Sequence, residues 1–158
     1  LKENALKSID TVKDRVTDFN LYNEENINIF SHLDFLEDYL KPYFKAAVGN
    51  YKITMDAKKE FLNSNLNINK ISELMNSHHN YLKDDLKITT PEIDKMIDVS
   101  FENGAVGSKI VGSGGGGSIV SLSTNSNTSN KIVSELKSIG VKDAFIARKG
   151  NGPTIYYE

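Results

Sequence analysis

The sequence predicts an α+β fold: several N-terminal helices packed on a small antiparallel sheet, with the C-terminal elements in the order β-β-α-β-β. Three observations carry this expectation. Apolar residues recur at spacings of three and four through the first hundred residues, the composition changes at Asn103-Gly104, and the rest is built largely of short β-branched runs punctuated by glycine. With 158 residues, 39% hydrophobic and 25% charged, the chain has the size of one domain, 1–158, with a helical part of about 1–102 and a sheet part of about 103–158.

The elements follow in order. Leu6, Ile9, Val12, Val16 and Phe19 are loosely periodic and predict a first helix from Leu1 to Phe19. Phe30, Leu33, Leu36 and Leu40 predict an amphipathic helix ending near Pro42. Phe44, Val48, Tyr51, Met55 and Leu62 then form the apolar stripe of a long helix, with Lys45, Lys52, Lys58, Lys59 and Glu60 on its wet face. After a polar break at Asn63 to Asn67, the residues Ile68, Ile71, Leu74, Met75, His78 and Leu82 mark another helix. Thr90 stands as N-cap before Pro91, with Glu92 and Asp94 in the first turn where the helix dipole favours acids, and Ile93, Met96, Ile97 and Phe101 on the buried side. Ala105 to Val111 and Ile119 to Leu122 read as strands joined by glycines. Asn125 to Asn130 reads as a polar turn, Lys131 to Ile139 as a helix stopped by Gly140, and Lys142 to Arg148 and Thr154 to Tyr157 as two last strands.

Several function classes are disfavoured at this level. A net charge of −2 gives no bulk attraction to nucleic acid or an anionic membrane, and neither is expected as a partner. No apolar run approaches the roughly 20 residues of a membrane span. Cysteine is absent, which removes disulfides, thiolate zinc sites and cysteine nucleophiles and suits a reducing compartment; the expected location is the cytoplasm. The chain opens at Leu1 rather than at methionine, and the expectation is a piece of something longer.

One segment carries a chemical suggestion: Gly112-Ser113-Gly114-Gly115-Gly116-Gly117-Ser118. Without Cβ atoms, successive backbone N–H groups can turn inward and meet a bulky anion closely. The same composition also describes a flexible or engineered linker, which binds nothing. The strands on both sides weigh against a tether. No Lys-Ser or Lys-Thr follows the glycines and no helix follows the loop, so it is neither a Walker A loop nor a dinucleotide fingerprint. Lys109 lies just upstream and is a candidate contact for a phosphate. His78 and His79 are adjacent on a helix, about 100° apart around its axis, and cannot both hold one metal as an i, i+4 pair would. Asp84 and Asp85 read as solvated or capping carboxylates. No catalytic residue and no metal-ligand set is assigned.

Three collinear segments bear a family resemblance. Leu74-Met75-Asn76-Ser77-His78-His79-Asn80-Tyr81-Leu82-Lys83-Asp84-Asp85-Leu86 with Thr90-Pro91-Glu92-Ile93-Asp94 resembles the helix, turn and "CPELD" region of galactokinases. Gly104 to Val111 followed by Gly112 to Gly117 is similar to the third conserved motif of the GHMP kinases, in their C-terminal domain. The collinearity runs from about Val12 to the last expected strand. The resemblance implies the fold of a GHMP kinase C-terminal domain, and an ATP-dependent sugar kinase in which ATP and Mg²⁺ are bound mainly by an N-terminal catalytic domain absent from this chain. The expected partners are a sugar, ATP and that N-terminal domain. It further implies that Gly112, Ser113, Gly114, Gly115, Gly116, Gly117 and Ser118 face the reacting substrates, with Lys109 and His79 as secondary contacts, and that the chain alone is inactive. Gly115 stands where galactokinases usually carry phenylalanine, Ser118 where cysteine is common, and His78 and Tyr81 where serines are usual, whereas His79 matches. The all-glycine loop is also similar to heptose phosphate and fucose kinases, so sugar kinase is better supported than galactose. A non-catalytic sensing module is the alternative from another class.

Overall fold

The computed structural model describes residues 1–22 and 29–147, with the backbone alone at Ile29 and Phe30. Five α-helices and one two-stranded antiparallel sheet occur among them, in agreement with the α+β expectation. They are α1 (Lys2–Lys13), α2 (Lys41–Leu62), α3 (Ile68–Asn80), α4 (Pro91–Glu102), β1 (Gly107–Val111), β2 (Ser118–Leu122) and α5 (Ser126–Ser138).

Helix α1 stops at Lys13, short of Phe19, and turns follow in which Val16 N–H reaches Val12 and Phe19 N–H reaches Val16. The helix expected to end near Pro42 is instead a 3-10 segment, Ile29–Phe35, and Pro42 opens α2. Proline is tolerated in a first turn, where its missing N–H would have no intrahelical partner. Val12, Leu36, Leu40, Phe44 and Val48 close a core between α1, the segment before α2, and α2. The stripe of α2 runs off that core at its C-terminal end: Leu62, expected inside, is 78% exposed, and Phe61 beside it is 63% exposed.

Helix α3 begins as its sequence requires, with the Asn67 side chain accepting from Lys70 N–H. It ends in a π turn, Tyr81–Asp85, in which Leu86 N–H reaches back five residues to the Tyr81 carbonyl. The Tyr81 ring lies against α2 at Gly49, where any Cβ would overlap it. Thr90 caps α4 by accepting from Ile93 N–H at 3.3 Å, and Pro91 is its first residue, as expected. Phe101, expected on the buried side, is 40% exposed. Asn125 to Asn130 is not a free turn: Asn125 accepts from Thr128 N–H at 2.9 Å and caps α5, which starts five residues earlier than the apolar pattern indicates. Gly140 has φ +87, the left-handed stop expected of it.

The sheet is a hairpin running from Gly107 opposite Leu122 to Val111 opposite Ser118. Ile110 packs with Leu82, Ile93 and Ile97 into a second core, and Ala105, Ile132 and Leu136 form a third between the sheet's approach and α5. Asn76 of α3 takes the place of a neighbouring strand beside β1. Its Nδ2 donates to the Val106 carbonyl at 3.2 Å, and its Oδ1 accepts from Ser108 N–H at 3.0 Å. The approach is close, since a Cβ on Gly107 would sit 3.1 Å from Ser72 Cα. Of the two last strands expected, residues 142–147 carry no strand pairing among the described residues, while Arg148 and Thr154 to Tyr157 lie outside them.

Candidate functional site

The Gly112 to Ser118 segment is the tip of the β1–β2 hairpin, and the strands pair in continuous register up to its two ends. It therefore closes one structural unit rather than tethering two, which argues against the linker reading. Gly112, Gly114, Gly115, Gly116 and Gly117 all have positive φ. The requirement is strongest at Gly116, where φ +130 lies outside the small left-handed region open to other residues. The loop is largely exposed, and the ideal Cβ positions of Gly112, Gly115, Gly116 and Gly117 meet nothing within 4 Å. The Cβ side of these four glycines is thus open.

One side is fixed. Gly115 N–H donates to the Ile88 carbonyl at 2.8 Å, and a Cβ on Gly114 would fall 2.6 Å from that same oxygen. Ile88 itself sits against the second core and donates its N–H to the Leu82 carbonyl at 3.1 Å. Between the π turn and Ile88, Lys87 takes φ +50, the only non-glycine with positive φ among the described residues.

The two secondary candidates stand apart from the loop's described contacts. His79 is buried, at 6% exposure, and its Nδ1 has no hydrogen-bond partner among the described residues. Burial holds its imidazole below the usual pKa; Lys83 adds to this, and Asp94 opposes it. Lys83 pairs with Asp94 at 3.2 Å, tying the π turn to α4. Lys109 is partly buried, its Nζ donating to the Ile110 carbonyl at 2.9 Å, and burial lowers its pKa. It lines an apolar groove of about 540 Å³ between α2 and α3, together with His78, Phe61, Leu62 and Met75. His78 is half-buried there, its pKa lowered first by burial and then by Lys109. Asp84 is exposed and Asp85 partly buried; burial raises the pKa of Asp85, while Lys45 opposes the rise. Among the described residues no cluster of three or more His, Asp or Glu could hold a metal ion.

The family model described as the GHMP kinases C-terminal domain matches residues 57–142, more than half of the chain and all of the loop with its supports. The chain belongs to the GHMP kinase C-terminal family. Its curated relatives point the same way. This GHMP kinase domain is 28% identical to the galactokinase of Clostridium perfringens (strain SM101 / Type A) over 93% of its own length and 39% of the relative's. It is 33% identical to the galactokinase of Lactococcus lactis subsp. cremoris (strain MG1363) over 68% of its length and 28% of the relative's. With the galactokinase of Bacillus subtilis (strain 168) it shares 39% identity over 35% of its length and 15% of the relative's. The chain thus spans about two fifths of the length of the Clostridium perfringens relative.

Sequence reasoning did not single out Ile88 or Asn76 as supports of the hairpin. Ile88 acts through its backbone carbonyl, which no side-chain pattern reveals. Asn76 lies off the apolar stripe that Ile71, Leu74, Met75 and His78 mark on α3, so that stripe gave no sign of its role.

Proposed function

We propose that this chain is the C-terminal domain of an ATP-dependent sugar kinase whose whole form transfers the γ-phosphoryl of ATP to galactose, giving galactose 1-phosphate. The carrying observation is the hairpin loop, with open space at the Cβ positions of Gly116 and Gly117, in a domain that aligns with a galactokinase over 93% of its length. Phosphoryl transfer rests chiefly on positioning and on stabilising charge spread over the transferring oxygens. Fixed backbone donors suit that task because they need no reorganisation as charge develops. Open space beside the loop glycines fits a phosphate that must approach main chain closely.

In this reading Gly112 to Ser118 close on the reacting ends of the two substrates, with Lys109 and His79 contributing from behind. When bound, Mg²⁺ neutralises phosphate charge; its ligands, the nucleotide pocket and the catalytic base belong to an N-terminal domain that partners this one. The chain by itself is inactive, and the enzyme works in the cytoplasm on small molecules. The all-glycine loop, with Gly115 and Ser118 at two variable positions, also accommodates a different sugar acceptor.

The test is an assay of the full-length gene product and of the 158-residue chain against a panel of sugars with ATP and Mg²⁺. Galactose-dependent ADP release is expected from the former and none from the latter. No turnover of any sugar by the full-length product refutes the kinase reading, and turnover by the chain alone refutes the division of labour.

A further inference from the structure

We infer that Leu86–Ile88 is a positioning clamp for the glycine loop, and that it withdraws the Gly115 amide from the donors available to a phosphate, leaving those of Gly116 and Gly117. The second half of this inference rests on the kinase reading; the first does not.

The connection runs unbroken from helix to loop. The π turn widens the end of α3 so that Leu86 N–H reaches Tyr81 and Ile88 N–H reaches Leu82. The helix is then ended by a residue of left-handed backbone, Lys87 at φ +50. Beyond it the Ile88 carbonyl faces the hairpin tip, where Gly115 N–H meets it at 2.8 Å. Ile88 is held on its other side by the core containing Leu82, Ile93, Ile97 and Ile110. The position of the carbonyl is thereby set by core packing, and the loop inherits it. Gly114 is obligatory for the same contact, since its missing Cβ is the space the Ile88 carbonyl oxygen occupies. Two residues further on nothing approaches: Gly116 and Gly117 have open space at their Cβ positions. Among the described residues no backbone acceptor is found for their N–H groups outside the strands. One half of the loop is spent on being held, and the other is free to bind.

Amide hydrogen exchange on this chain tests the clamp without any activity. Gly115 N–H is expected to exchange at least about 10-fold more slowly than the amides of Gly116 and Gly117, once corrected for intrinsic rates. Gly114→Ala should abolish that protection by displacing the Ile88 carbonyl. Gly115→Ala carries similar left-handed strain but meets no neighbour, and it should retain protection at residue 115. Equal, fast exchange at all three wild-type amides overturns the clamp, whether or not either variant folds. In the full-length protein, Ile88→Ala should lower kcat by about 10-fold and leave the KM for ATP within twofold, the pattern of mispositioned rather than lost binding groups. A rise in KM with kcat unchanged overturns the positioning role. Slow exchange at Gly115 in a protein that phosphorylates no sugar upholds the clamp and overturns the kinase reading instead, so the two fail separately.

Discussion

Gly114 and Gly116 lie two residues apart in one loop and share positive φ, yet they answer to different constraints. Gly114 is fixed by a neighbour: the Ile88 carbonyl oxygen would stand 2.6 Å from its Cβ. At Gly116 a Cβ would meet nothing within 4 Å, and the constraint is its own backbone, at φ +130. The contrast teaches that a run of identical residues can hold two functions, anchorage and access. It also predicts which substitutions damage folding and which spare it.

The largest effect on stability is expected at the anchored side. Gly114→Val combines a clash with main chain and a β-branched residue at φ +82, and should cost about 3 kcal/mol in urea unfolding of this chain. A cost below about 1 kcal/mol would mean that the loop can slide off Ile88 at little expense. Next comes the support beneath β1. Asn76→Ala leaves the Val106 carbonyl and Ser108 N–H without their partner and should cost about 2 kcal/mol, measured in the same way.

A smaller effect comes from protons. His78 and His79 both have pKa values lowered from 6.5 by burial. Between the lowered native value and 6.5 the unfolded chain therefore binds more protons than the folded one. Stability is fully present above 6.5 and declines as pH falls through 6.5 toward the native values. Melting temperature should drop as pH is lowered from 7.5 to 5.5, and His79→Gln should flatten that slope; an unchanged slope would assign the dependence elsewhere. The smallest effect is expected at Lys87→Gly, where relief of left-handed strain and added unfolded-state entropy nearly cancel, within about 0.5 kcal/mol.

The same contrast marks what could be read from the sequence. Signals carried by side chains next to the element they govern were legible: the Thr90-Pro91 cap, the stripe of α2 through Phe44 and Val48, the hairpin, and the Gly140 stop. The loop itself was legible because glycine enrichment is a composition signal. Competition between local signals misplaced the boundaries at Pro42 and Asn125. Pro42 reads equally as an end or a beginning, and the polar run from Asn125 hides a cap whose helix becomes apolar only from Ile132. The exposures of Leu62 and Phe101 were not legible either, because a stripe shows which face is apolar and not how far the opposing core extends. The clamp joins a carbonyl at residue 88 to an amide at residue 115 through a π turn, and neither group has a residue-type signature.

The most direct measurement is sugar-dependent ATP turnover by the full-length Gly116→Val protein, set beside the urea unfolding of the same substitution in this chain. The account predicts a fall in turnover of about 100-fold, as for loss of a backbone donor at developing charge, in a chain whose stability drops less than with Gly114→Val. Wild-type turnover in a folded Gly116→Val protein would contradict it, and would make the glycine loop a connector.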